Sequence, residues 1–311
     1  PLIESGKITA QDTPLPAVDR GRSFPNRVGH TVNDALIVSL LSVVPKNHSA
    51  RLMGFGARLH LPRFAHRWLL RYFVRKYGVD LTESEGTIDD FESLSQFFVR
   101  ALKPGTRPID DTPDVLVSPV DGRAHSLGQV DDGQFLQAPG RPCPVAALVG
   151  ETEATRFKGG SYAVLYLAPP DYHRVHAPVE GTVGSLDYRA GTLWPVFPAA
   201  TRKVDDLFAR NERLVFHMDT IAGHMAIVMV GAFGVGRIAN VFDPHRTNTG
   251  RKPERTEMSP AARVERGAEI GRFELGSTVI LLCEPGRVDW TMEAGQVLRL
   301  GRPIGKHGMT K

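Results

Sequence analysis

Cysteine is almost missing from this chain. Cys143 and Cys283 are the two in 311 residues, and they form no CxxC. A thiolate zinc site and a thioredoxin-type motif are thereby excluded. Two buried thiols in a reducing compartment are the expectation. Long apolar runs are missing as well. The longest, 35–44, is interrupted by Ser39 and Ser42, too short to cross a hydrocarbon layer of about 30 Å. Residues 1–34 scatter their basic side chains and offer no small-residue cleavage site behind a short apolar core, so no signal peptide is expected. There is no repeat of fixed period. Neither sign of charge dominates, with 38 Lys+Arg against 34 Asp+Glu and a net charge of +4. That mild excess favours anionic partners. With no nucleic-acid fold motif and one basic stretch confined to a single segment, nucleic acid is not an expected partner. What is plentiful is Gly, 31, and Pro, 23, which favours turns and many short strands over a helical bundle.

The texture changes along the chain. Residues 1–32 are rich in Pro, Gly and charge and are expected to be loose. Residues 33–60 carry Leu36, Ile37, Leu40, Leu41 and Val44 at helical spacing, and Pro45 ends the pattern. Residues 63–77 form a stronger amphipathic pattern. Arg63, Arg67, Arg71 and Arg75 recur every four residues as one cationic ridge, beside an aromatic ridge of Phe64, Trp68 and Tyr72. A basic face beside an aromatic face suits a helix lying in a membrane interface, but also an ordinary surface helix with its aromatics on a core. A second short helix is expected over 91–102. After Pro104 come short β-type runs at 114–118, 126–130, 161–168, 180–186, 213–218, 225–231, 235–242, 278–283 and 296–300. Residues 243–263 are polar and contain Pro, and are expected to be a long loop or disordered insertion. The fold class is α+β: a small helical part over 33–103, then a β-rich domain of antiparallel or mixed sheets over 104–311.

Four segments could carry chemistry, and each is ordinary alone. Asp121-Gly122 follows an apolar run and suits a turn. His173 and His176 lie three apart, but Pro169, Pro170 and Pro178 oppose the helix a two-histidine metal site would use, and no metal is expected. Such a pair can also serve as base and acid. Gly276-Ser277 precedes a β-branched run, with Leu275 where a G-x-S-x-G elbow needs glycine. Gly234-Val235-Gly236 lacks a third glycine and is a weak phosphate signal.

As an ordered set these segments say more. SPVDG (118–122), DYHRVHAPVEG (171–181), NERLV (211–215), VGAFGVG (230–236) and GRFELGSTVILL (271–282), with SLSQFFVRALKPGTRPID (93–110), resemble the phosphatidylserine decarboxylases of the membrane-associated bacterial and mitochondrial type. The resemblance runs from about residue 68 to about 305. It implies a lyase made as a zymogen, with a pyruvoyl group derived from Ser277 as its covalent cofactor. The cleavage site is Gly276 and Ser277, giving a β chain of 1–276 paired with an α chain of 277–311. It further implies His176 as the base that activates Ser277, Asp121 as the group orienting His176, and His173 as acid or substrate-positioning group. The expected substrate is phosphatidylserine in anionic membranes and the product phosphatidylethanolamine. A homodimer is expected, peripheral on the cytoplasmic side of a bacterial inner membrane. With that prior the Arg63, Arg67, Trp68, Arg71, Tyr72, Arg75 face becomes the expected membrane contact. The rivals are a pyruvoyl decarboxylase of another amine and a Ser-His-Asp hydrolase acting on an external ester.

Overall fold

The computed structural model describes residues 56–57, 59, 61–233, 237–249, 252–274 and 277–308. The expected loose segment 1–32, nearly all of the weak helix 33–60, the glycines Gly234 and Gly236, and Gly276 lie outside the described residues.

Helix α1 (Arg63–Tyr77) occupies the span that the ridges define. It stops at Gly78, whose left-handed backbone (φ 66°) lets its N–H reach the carbonyl of Val74. Arg75 and Lys76 in the last turn suit the negative end of the helix dipole. Its buried residues are His66 and Leu70, with Phe73 and Val74 packed on Phe91 and Phe97. Helix α2 (Leu94–Phe98) is shorter than the 91–102 pattern suggests. Ser93 caps it by accepting from the Gln96 N–H at 3.1 Å. Beyond it the chain is held by tertiary bonds: Arg100 donates to the Pro170 carbonyl, and Arg174 donates to that of Val99.

The rest is β structure with short helices. In chain order the strands are β1 (Val115–Val117), β2 (Gly122–Gln129), β3 (Gln134–Ala138), β4 (Arg141–Pro144), β5 (Ser161–Leu167), β6 (Arg174–His176), β7 (Gly181–Arg189) and β8 (Arg213–Thr220). There follow β9 (Gly223–Gly231), β10 (Ile238–Asn240), β11 (Glu254–Val264), β12 (Glu269–Phe273), β13 (Ser277–Cys283), β14 (Val288–Trp290), β15 (Val297–Leu298) and β16 (Pro303–His307). The main sheet has eight strands in the order β11-β7-β8-β9-β13-β5-β2-β15, all antiparallel. Smaller sheets are β1-β16-β14, β10-β12-β6 and β3-β4.

Alternation along the strands gives the main sheet two apolar faces. Val279, Leu281, Leu165 and Ile227 face one cluster, which includes Val175, Ile270 and Phe273 of the β10-β12-β6 sheet. Ile280, Leu282, Val164 and Val228 face the other, covered by α3 (Val145–Val149), α4 (Glu151–Ala154), α5 (Pro198–Lys203) and α6 (Leu207–Arg210). Strands β5, β9 and β13, covered on both sides, are therefore almost continuously apolar.

The region 243–263 departs from expectation. Residues 254–264 form β11, the edge strand of the main sheet, paired with β7. One face of an edge strand meets water, so its polar composition is compatible with pairing, and Pro260 sits where the register shifts between Glu257 and Ala262. Among the described residues no helix is long and apolar enough to cross a membrane.

Candidate active site

Antiparallel pairing gathers four strand ends at one edge of the main sheet. β13 starts at Ser277, paired with Leu167 at the end of β5 and Gly231 at the end of β9. β2 starts at Gly122, with Arg123 opposite Tyr166. Asp121 therefore lies two strands from Ser277, about 10 Å at the usual strand spacing. The glycine after Asp121 is needed for close approach: a Cβ on Gly122 would lie 2.4 Å from the Tyr166 carbonyl oxygen.

Ser277 is fully buried, and its hydroxyl has no hydrogen-bond partner among the described residues. By alternation it faces the same side as Val279 and Leu281, toward the small sheet that contains β6. An unpaired buried hydroxyl costs about 1–3 kcal/mol, so it is rare without a chemical use.

The chain leaving β5 turns at 168–171 and presents His173 six residues after Leu167 and His176 five residues before β7 starts at Gly181. His173 is completely buried against the Phe98 ring, 4.3 Å between centroids. Its Nδ1–H donates to the Asp171 carbonyl at 2.8 Å, which leaves Nε2 as a bare lone pair with no partner. Burial pushes its pKa down to about 3, so the ring is neutral. His176 repeats the arrangement. Its Nδ1–H donates to the Gly267 carbonyl at 2.8 Å, and Nε2 faces the Tyr172 hydroxyl at 3.4 Å. Burial lowers its pKa as well. Both backbone acceptors thus select the tautomer that keeps Nε2 available as a base.

Asp121 makes different bonds from those expected. Arg107 donates to it through Nε, 3.0 Å to each oxygen, and through Nη2 at 2.6 Å, while the Leu300 N–H donates at 2.8 Å. Arg107 Nη2 also reaches Glu83 at 2.7 Å. The carboxylate is thus not hydrogen-bonded to His176, whose orientation comes from Gly267. Asp121 acts on that imidazole through its field alone, which favours the protonated ring. The structure brings Asp121, His173, His176 and Ser277 to one end of the sheet without a Ser-His-Asp relay of direct bonds.

Several members of this site carried no separate argument in the sequence. Arg107 lies within 93–110, and Asp171 and Tyr172 flank His173. Asp171 accepts from the Ala168 N–H at 2.7 Å, and burial raises its pKa to about 6. Proximity to the histidines in sequence was the available signal for the last two. For Arg107 there was none, because its partner Asp121 is a tertiary neighbour.

Helix α1 adjoins this site. Phe73 of α1 packs edge-on against Phe98 at 5.8 Å, and Phe98 packs on His173. The aromatic ridge of α1 points outward: Phe64 is 78% exposed and Trp68 68%.

Comparison with known proteins bears on this geometry. The family model described as phosphatidylserine decarboxylase matches residues 94–306. The phosphatidylserine decarboxylase proenzyme of Myxococcus xanthus is 44% identical over 277 residues, covering 88% of this chain and 99% of the relative. That of Anaeromyxobacter sp. strain K is 45% identical over 280 residues, with the same coverage. That of Methylococcus capsulatus is 40% identical over 281 residues, 87% of this chain and 96% of the relative. The strand ends that gather Asp121, the two histidines and Ser277 all fall within the matched span, and the chain belongs to the phosphatidylserine decarboxylase family.

Proposed function

We propose that this chain is a self-cleaving proenzyme whose mature form decarboxylates phosphatidylserine to phosphatidylethanolamine and carbon dioxide. The observation that carries the reading is the buried, unpartnered Ser277 hydroxyl at the sheet end that also bears two neutral, tautomer-selected imidazoles.

In self-cleavage Ser277 Oγ attacks the carbonyl of residue 276. The hydroxyl proton passes to His176 Nε2, and the amide nitrogen of Ser277 leaves with a proton, giving an ester. Removal of the Ser277 α-proton then expels the 276 carboxylate, and water converts the resulting dehydroalanine to a pyruvoyl group and ammonia. Burial suits the first step, since a neutral imidazole accepts a proton and an imidazolium does not. Asp121 lends negative charge that favours the imidazolium once formed. Its two-point hold on Arg107 ties the start of β2 to the segment after α2.

A pyruvoyl group fits the Ser277 position, where among the described residues no polar group is bonded to the hydroxyl. When present, its carbonyl takes up the substrate amine and draws off the electron pair left by the departing carboxylate. His173, dry and unprotonated, is suited to positioning the substrate and to carrying a proton at Nε2. Phe98 over its ring keeps water away.

The exposed ridge of Phe64, Trp68 and Tyr72 beside Arg63, Arg67, Arg71 and Arg75 supports peripheral docking on an anionic bilayer. The contacts from Phe73 to Phe98 to His173 would set the active site near that surface. Residues 33–103 would form the membrane-associating part and 104–311 the catalytic domain. The β and α chains would remain associated, because β13 pairs on both sides with strands of the β chain. A homodimer completes the proposal.

An intact-mass spectrum under denaturing conditions tests the chemistry. A fragment matching 277–311 with a keto cap is expected, and Ser277→Ala should stay whole and inactive. A folded wild-type chain that stays uncut would overturn self-processing and favour the hydrolase. Changing Arg67, Arg71 and Arg75 together to Glu tests docking. At about 1 kcal/mol per basic residue, affinity for anionic vesicles should fall by roughly 100-fold, and unchanged vesicle binding would remove α1 from the membrane contact.

A further inference from the structure

A second cluster of histidines lies at the other end of the same strands. Ser277 is opposite Gly231, whereas His224, the second residue of β9, lies seven residues earlier, roughly 23 Å away along the strand. β8 and β9 pair Asp219 with His224 and His217 with Ala226, so His217 and His224 are diagonal neighbours on one face. Helix α4 lies over that face and adds Glu153.

We propose that Glu153, His217 and His224 bind one divalent transition-metal ion of the zinc type. One ligand atom from each lies within 4.8 Å of the others. Glu153 Oε2 is 3.8 Å from His217 Nδ1 and 3.7 Å from His224 Nε2. In a tetrahedral zinc site with bonds of about 2.0–2.2 Å, ligand atoms stand about 3.4 Å apart, so a few tenths of an ångström of closure would bring each imidazole to ligand spacing from Glu153. Imidazole nitrogen with one carboxylate oxygen suits zinc, cobalt or nickel.

Three observations point the same way. First, Glu153 Oε2, both nitrogens of His217 and Nε2 of His224 are buried without hydrogen-bond partners among the described residues, Oε2 having only the longer ion pair to Arg156 at 3.4 Å, which is costly for the imidazole nitrogens unless something fills the gap. Second, His224 Nδ1–H donates to Asp219 at 2.7 Å, which directs the Nε2 lone pair toward Glu153. A carboxylate behind a histidine ligand is the arrangement that orients such ligands and raises their basicity. Third, the charge balance favours a cation. Arg255 takes the other Glu153 oxygen at 2.9 Å and is itself bonded to Glu257 at 2.6 Å, and the half-exposed Arg156 Nε stands 3.4 Å from Oε2, so the three carboxylates Glu153, Glu257 and Asp219 outnumber the two guanidiniums at the cluster. The ion would clip α4 to the β8–β9 hairpin. A water would complete four ligands.

The test uses the full-length chain, stripped with a chelator and dialysed. Zinc alone is titrated by calorimetry, and cobalt alone by visible absorption. One equivalent of zinc should bind, the cobalt form should show a tetrahedral spectrum, and zinc should raise the melting midpoint. His224→Gln should abolish that equivalent. Asp219→Asn, whose side chain is largely exposed and safe for folding, should weaken it by about 10–100-fold. Failure of the folded wild-type chain to bind zinc would overturn the proposal. So would zinc binding of equal affinity in Asp219→Asn. These readouts do not depend on self-cleavage or decarboxylation, so their failure is separable from failure of the proposed function.

Discussion

Two pairs of histidines, each with one fully buried and one half-buried ring, lie near opposite ends of the main sheet, and their surroundings separate them. In the pair His173 and His176, each Nδ1–H is held by a backbone carbonyl, and among the described residues no carboxylate is hydrogen-bonded to either ring. Their Nε2 atoms are aimed at a hydroxyl or at nothing. In the pair His217 and His224, a shared carboxylate lies within 3.8 Å of both rings, and Asp219 backs one of them. A carbonyl behind an imidazole selects a tautomer without adding charge, which suits proton transfer. Carboxylates in front and behind add charge, which suits a cation.

Substitution separates the pairs most sharply. His176→Gln should slow self-cleavage by about 10²–10⁴-fold, the usual worth of a general base, whereas His224→Gln should leave the rate within the same order of magnitude. Following the appearance of the 277–311 fragment by mass spectrometry decides it, and equal slowing by both would erase the distinction. The carboxylates sharpen the contrast in stability. Asp121 and Arg107 are both largely buried, so Asp121→Ala should cost about 3 kcal/mol by stranding the guanidinium. Asp219 is largely exposed, and Asp219→Ala in the chelated protein should cost under about 1 kcal/mol. Denaturant unfolding of both variants in a Ser277→Ala background measures this.

Acid titration adds a contrast in which two buried groups oppose each other. His173 has a folded-state pKa of about 3 against the usual 6.5. The unfolded chain takes up this proton first, so the contribution is complete above pH 6.5. It is lost as pH falls toward 3, at about 1.4 kcal/mol per pH unit. Asp171, raised from 3.8 to about 6, works in the opposite sense: its contribution is complete below 3.8 and lost as pH rises through 6. The two partly offset each other between pH 4 and 6. His173→Gln in the Ser277→Ala chain should therefore flatten the acid loss seen in melting midpoints. An unchanged profile would mean that His173 is not the buried neutral ring described.

How much was legible in the sequence differs by element. The span of α1 was readable because its four-residue ridges and Gly78 are local signals. β5, β9 and β13 were readable as apolar runs. β11 was not, since an edge strand with one wet face has the composition of a loop. Strands β3, β4, β6, β12, β14 and β16 were also missed, being five residues or fewer, with Gly or Pro inside β4, β12 and β16. In the site, the motif order pointed to Ser277, His173, His176 and Asp121. It could not supply Arg107 as the partner of Asp121, or Gly267 as the acceptor that orients His176, because those contacts join segments far apart in the chain.

The amino-acid sequence alone therefore determined which chemistry-bearing residues are present, in what order, and where the strongly periodic elements lie. Those properties depend on neighbours within a few positions. Tertiary structure alone decided which carboxylate meets which base. It turned the aromatic ridge of α1 outward and left Ser277 Oγ without a partner among the described residues. It also set Glu153 against two histidines more than sixty residues away. Pairing register and burial fix those outcomes, and both are properties of the assembled sheet.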